Sequence, residues 1–136
     1  ESEISIRQVT DGTSKTLLIG EKAHVPSLYL TGESGGDNET WCTGFNNDNY
    51  RVIRGNTLPN HLARRGFPGQ PRSDAQSEEN RANVHEIFGS AHPVVWNAVY
   101  CDGSVHAISY DAEPEVLAQL ANRHDGGERD PFAGRL

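Results

Sequence analysis

Apolar and polar positions alternate most regularly between Val94 and Ile108. Trp96, Ala98 and Tyr100 fall on one parity there, and Asn97, Val99 and Cys101 on the other. A period of two predicts a half-buried strand on each side of Asp102-Gly103. Asp-Gly tolerates the positive φ that a two-residue type I′ turn needs at both centres. Such a turn would pair Cys101 with Ser104, and Tyr100 with Val105. The core face would then carry Trp96, Ala98, Tyr100, Val105 and Ala107. The opposite face would carry Asn97, Val99, Cys101, His106 and Ile108.

The pattern elsewhere is sparser. Residues 3–9 alternate enough for an edge strand or the end of a helix, and Thr10-Asp-Gly-Thr-Ser14 is a turn cluster. Thr16-Leu-Leu-Ile-Gly-Glu21 reads as a short buried strand bounded by glycine. Residues 31–40 form a loop, with Trp41 and Phe45 as expected core or edge anchors beside it. Asn46-Asn-Asp-Asn49 is a second turn cluster, and Tyr50-Arg-Val-Ile53 a short strand. From Gly66 to about residue 83 large apolar residues nearly vanish after Phe67, so this stretch reads as one long polar loop. Periodicity of helical type returns at Pro114–Arg123, where Val116, Leu117, Leu120 and Ala121 make one stripe. Asp111 or Glu113 suits its N-cap region, Pro114 its first turn and Asp125-Gly-Gly127 its end. Residues 128–136 read as a tail. Together these elements predict an α+β fold: a small antiparallel sheet, a C-terminal helix and long loops, in a single domain over residues 1–136.

Composition narrows the function classes. The chain has 136 residues, of which only 35% are hydrophobic, with 14 Gly and 7 Pro, which implies a small core dressed with loops. Its net charge of −7 opposes binding to nucleic acid, which needs a cationic surface, and to an anionic membrane surface. No apolar run approaches the ~20 residues that span a bilayer. Because the chain opens directly on Glu1-Ser-Glu-Ile-Ser-Ile, we expect it to be the remainder of a longer or processed protein. Cys42 and Cys101 have two readings. In an intracellular protein they would be separate small core residues. In an exported protein they would be disulfide partners, closing a loop worth roughly 4 kcal/mol in the chain-entropy model.

Several blocks carry a resemblance. They are Ile6 to Glu21, Leu58-Pro59-Asn60, Phe88-Gly-Ser-Ala-His-Pro93 with Asn97 and Cys101-Asp-Gly-Ser-Val105, and Val116 to Arg123 with Gly126-Gly-Glu128. His92, nine further residues and then Asp102-Gly103 complete the pattern. These blocks resemble a bacterial prepilin-like (pseudopilin-like) family of unknown function. The chain departs from it at Val94-Val95, where small residues are usual, and at Ala98 and Ala107, where aromatics are. The resemblance implies a pseudopilin-like head whose hydrophobic N-terminal helix is absent from this chain. It implies an exported protein at the envelope, periplasm or surface of a bacterium. Its partners would be other pilin-like subunits or envelope proteins, with membrane contact only through the missing helix. Glu21, His92, Asn97, Asp102 and Gly103 would then be structural signature positions rather than catalysts.

Candidate chemistry is thin. His92 suits a metal ligand or general base, or else an imidazole bonded to a carbonyl or to a carboxylate such as Glu21 or Asp102. The six His (24, 61, 85, 92, 106, 124) show no zinc spacing, and His85-Glu86 lacks its second His because Gly89 stands there. No G-x-S-x-G and no P-loop lysine is present. Calcium has oxygen-rich loops to choose from, chiefly Asp37, Asn38, Asn47 and Asp48 with Glu39, Asn46 and Asn49 nearby, although such clusters are also ordinary turns. Trp41 and Trp96 are the candidates for stacking on a sugar. The expected function is therefore a non-enzymatic pilin-like structural subunit. An extracellular carbohydrate- or solute-binding module is the first alternative, and a metal-dependent enzyme the second.

Overall fold

A computed structural model describes residues 4–44, 46–53 and 69–123. The fold is α+β. Strands β1 (Leu17–Gly20), β4 (Val95–Tyr100) and β5 (Val105–Ser109) form an antiparallel sheet in the order β1-β4-β5. A smaller parallel pair joins β2 (Arg72–Ser73) to β3 (Gly89–Ser90). Helix α1 spans Asp74–Glu79 and helix α2 spans Pro114–Leu120. Among the described residues no helix is long and apolar enough to cross a membrane. Of residues 3–9, expected as strand or helix end, the described part, 4–9, holds a short 3-10 turn at Ile6–Gln8. The expected strand at 50–53 reduces to a single bridge between Val52 and Ile87. Leu58-Pro59-Asn60, Asp125–Gly127 and the expected tail lie outside the described residues.

The hairpin corrects the expected register. Tyr100 accepts from Gly103 N at 2.9 Å and donates its own N–H to Ser104 O at 2.9 Å. The loop is thus Cys101-Asp102-Gly103, with Gly103 at φ +86°. That is a three-residue connection, a type I turn closed by a left-handed glycine. The third loop residue moves β5 by one position, so Trp96 faces Ile108 and Val99 faces Val105. A shift of one exchanges the two faces of a strand. Ile108 is therefore buried, whereas Val105 is 66% exposed and Ala107 is also exposed, the reverse of the expectation.

The main core contains Trp96, Ala98, Tyr100, Ile108 and Leu117, flanked by Leu17, Phe88, Tyr110 and Leu120. Leu117 of α2 is fully buried against the sheet, while Val116 faces solvent. Trp96 stacks on Phe88 with ring centroids 5.1 Å apart. That stack explains Gly20, which does more than end a strand. A Cβ there would lie 2.6 Å from Trp96 and 2.7 Å from Phe88, so only hydrogen fits. A second cluster, Ala23, Val25, Val84 and Ile87, lies beyond the sheet.

The expected long polar loop is also corrected. Residues 66–68 lie outside the described residues, but β2 and α1 form directly after Gln70-Pro71. Ser73-Asp-Ala-Gln76 is a capping box: Ser73 Oγ accepts from Gln76 N at 3.3 Å, and Gln76 Oε1 accepts from Ser73 N at 3.0 Å. The helix buries Asp74 and Ser77 rather than large apolar groups, so no hydrophobic stripe marks it. Trp41, expected as an anchor, is 87% exposed, and Phe45 lies outside the described residues.

The register has a direct check. Ile108→Ala should cost about 2–5 kcal/mol in denaturant unfolding. Val105→Ala should stay within about 0.5 kcal/mol. The two-residue turn would reverse that order.

Candidate functional site

Three of the five signature positions converge where the two sheets meet. The chain leaves β4 at Glu21, whose N–H donates to Asn97 O at 3.0 Å and whose C=O accepts from Gly89 N at 3.0 Å. Turned toward β3, that carbonyl is no longer available to Asn97 N–H. A buried N–H without an acceptor is costly, so another group must replace it. The Glu21 side chain does so: Oε2 accepts from Asn97 N at 2.6 Å and from Asn97 Nδ2 at 3.2 Å. Its other oxygen lies 3.6 Å from His92 Nε2, an ion pair whenever the imidazole is protonated. Of the two carboxylates considered for His92, the contact is with Glu21. The His92 side chain remains 55% exposed, and Glu21 37%.

Ser90 fixes the turn that presents His92. Its hydroxyl accepts from His92 N at 3.1 Å, donates to Val95 O at 3.0 Å and lies 3.0 Å from the Tyr110 hydroxyl. Asp102 and Gly103 lie at the other end of the hairpin and serve its loop. Asp102 Oδ1 accepts from Ser104 N at 2.9 Å and from Ser104 Oγ at 2.6 Å, which holds its carboxyl below the usual range. Since a carboxylate only accepts, the hydroxyl proton goes to Asp102, and His106 Nε2–H donates to Ser104 Oγ at 2.9 Å. The His106 ring also meets the edge of Tyr100, with centroids 4.6 Å apart.

Several loop oxygens are engaged by Lys22 or by neighbouring loop groups, whereas Asp48 Oδ2 is buried without a hydrogen-bond partner among the described residues. Asp37 binds Lys22 Nζ at 2.6 Å and lies 3.7 Å from His24 Nε2; the Lys22 hydrogen bond is the main cause of its lowered pKa. Lys22 also donates to Gly36 O at 2.7 Å. Asp48 Oδ1 accepts from Asn38 N at 3.2 Å, Asn46 donates to Glu39, and Asn47 donates to Gly35 O. Among the described residues no three His, Cys, Asp or Glu side chains group as a metal site. Trp96 is corrected as a stacking surface, because it is fully buried beneath Phe88. Trp41 alone of that pair offers a face to solvent. The disulfide expectation is likewise corrected: Cys42 and Cys101 are not bonded to each other, the first being exposed and the second half-buried. Burial, reinforced by Asp102, pushes the Cys101 thiol up. Cys101 faces an apolar groove of about 360 Å³ between residues 4–9, the start of β1 and residues 121–123. None of the five signature residues lines it.

A second polar centre was not expected from the sequence. Asp74, only 5% exposed, accepts from His24 N at 2.7 Å and from the Tyr29 hydroxyl. Burial and the Asp74 carboxylate raise the Tyr29 pKa to about 12. The same region is tied by Glu78, which accepts from Ser27 N at 2.9 Å and Ser27 Oγ at 3.1 Å and pairs with Arg81. The capping box at Ser73-x-x-Gln76 was the available signal, since a residue just inside a capped helix start is placed to face inward.

A family described as a protein of unknown function (DUF1559) matches residues 1–115. Among curated proteins and among solved structures, nothing matches this chain.

Three outcomes test this geometry. Glu21→Ala should cost about 1–3 kcal/mol by stranding the Asn97 N–H, and should speed its hydrogen exchange. His92→Ala should cost under about 1 kcal/mol, as an exposed pair does. Tyr29 is protonated when it donates to Asp74, so its folded pKa lies above the unfolded value near 10. Its contribution is complete below pH 10 and is lost as pH rises through about 12. Ultraviolet titration of phenolate should show that late step, and Tyr29→Phe should remove it.

Proposed function

This chain belongs to the DUF1559 family, and from that premise we propose that it is a non-enzymatic, pseudopilin-like structural subunit of a bacterial envelope or surface assembly. The observation that carries this reading is the use made of the signature positions. Glu21 and Asn97 complete a backbone ladder, His92 leans on Glu21 at its rim, and Asp102 and Gly103 shape a loop. The Glu21, Asn97 and Asp102 side chains thus bond to backbone groups or to one another, and the exposed His92 imidazole lies beside Glu21. A catalytic constellation would instead aim a nucleophile or base at a shared space near an acceptor of charge. The groove beside Cys101 offers such a space but takes no signature residue. Export, leader processing and tethering through a hydrophobic helix follow from the prepilin resemblance and belong to this proposal. A calcium ion on the 37–48 loop would be a stabiliser of the head in the same reading.

One observation favours a second reading, a module for extracellular carbohydrate. Trp41 presents 87% of its surface to solvent on a polar loop, as a stacking platform requires.

The first reading is tested on the natural gene product in its own cell. Fractionation should place it in the envelope or in sheared surface material, and mass spectrometry should find its leader removed ahead of a hydrophobic segment. A cytoplasmic, unprocessed protein would defeat the proposal. The second reading is tested on a glycan array, where binding that disappears in Trp41→Ala would support it and a blank array would reject it.

A further inference from the structure

The sheet has one edge whose hydrogen-bonding groups are set out for a partner. Strand β5 pairs with β4 on one side, and no other strand among the described residues pairs with it. The ladder is bracketed by Tyr100 N to Ser104 O and by Tyr110 N to Val94 O. In an antiparallel pair, hydrogen-bonded positions alternate with positions whose N–H and C=O point away. Ser104 and Tyr110 fix the parity, so His106 and Ile108 bond to β4. Val105, Ala107 and Ser109 therefore turn their backbone groups outward. Among the described residues only Ser109 O has another donor, Ala112 N at 3.2 Å.

Exposed edges of this kind are normally blunted by charge, proline or a bulge. Here the outward residues are Val105, Ala107 and Ser109, none charged and none proline. Val105 is 66% exposed and Ala107 is exposed too. Val105 also faces Val99, which in turn faces Ile19, so an apolar row crosses the sheet and ends at this edge.

We infer that β5 is a self-association edge that takes the β5 strand of a second copy of this chain. The argument for a second copy is self-complementarity. An antiparallel β5–β5′ pair about a two-fold axis at Ala107 sets Ala107 against itself and Val105 against Ser109 of the other copy. Ala107 then exchanges both bonds with its own copy, Ser109 N–H meets Val105 C=O, and Val105 N–H meets Ser109 C=O, which also accepts from Ala112 N. The facing side chains are small, and no like charges oppose one another, although each chain carries a net charge of −7. On the inner face His106 meets Ile108 of the other copy, not a second imidazole. The two three-stranded sheets would join into one continuous sheet, in which the Ile19–Val99–Val105 row meets Ser109 of the other copy. This inference stands on the edge of β5 and does not depend on the envelope role.

Sedimentation velocity should follow the purified chain from about 10 µM to about 1 mM, the span in which a small interface fills. The mass should rise with concentration from monomer to dimer. Ala107→Pro removes an outward N–H without touching the β4 ladder, and Val105→Lys adds the missing edge charge. Both should hold the protein monomeric, with the near-ultraviolet circular dichroism of buried Trp96 retained. Register is read separately in a Cys42→Ser, Cys101→Ser background. There Ala107→Cys should oxidise to a linked dimer, because paired residues lie at disulfide distance. Val105→Cys, offset from its own copy, should not. A chain that stays monomeric throughout, or a dimer untouched by both edge variants, overturns the inference. So does equal cross-linking at the two cysteine positions.

Discussion

One carboxylate lets two sheets share a strand boundary. The chain must turn its Glu21 carbonyl from β4 toward β3, and this leaves the Asn97 N–H without its natural acceptor. The Glu21 side chain supplies the acceptor that its own backbone withdrew, at 2.6 Å. A hydrogen bond to a charged group is stronger than a neutral one, so the junction loses little by the exchange. Upstream, Gly20 leaves room for the Phe88–Trp96 stack. Downstream, Lys22 reaches the 36–37 loop and Ala23 enters the second apolar cluster. Four consecutive residues thus connect both cores and the largest described loop.

The three-residue loop at Cys101-Asp102-Gly103 is the second constraint, and its effect reaches the opposite end of the molecule. By setting Ile108 rather than Val105 inward, it gives Leu117 of α2 its surface to pack on. The same register leaves Val105 and Ala107 at an open edge. Core formation and edge exposure are consequences of one turn geometry, because the side-chain period of a strand is two.

The polar clusters divide by burial. Asp74 and Ser90 are inside and hold loops to the framework, Asp74 through Tyr29 and His24, Ser90 through His92 and Tyr110. Asp37 and Asp102 are outside and order their own loops, through Lys22 and Ser104 respectively. His92 lies between these classes, exposed but positioned by buried Ser90.

By itself the sequence determined the α+β class, the positions of β1, β4 and β5, and the C-terminal helix, although β1, expected to be buried, leaves Leu18 and Ile19 exposed, and of the helix stripe Leu117 and Leu120 turn inward while Val116 and Ala121 are exposed. These features have strong local periodicity, and Trp96, Ala98 and Tyr100 could be read as core from alternation alone. It also brought Glu21, His92 and Asn97 under suspicion together. Tertiary structure decided the hairpin register, because Asp-Gly suits both a two-residue and a three-residue loop, and the choice rests on which of Val105 and Ile108 finds apolar neighbours. Helix α1 carries no hydrophobic stripe because its buried face is Asp74 and Ser77, and Asp74 is made acceptable by Tyr29 and His24, far away in sequence. Trp41 and Trp96 look alike in sequence, yet one is bare and the other enclosed, since burial depends on what the rest of the chain brings alongside. Local pattern fixes which elements form; long-range contacts fix which of their faces turn inward.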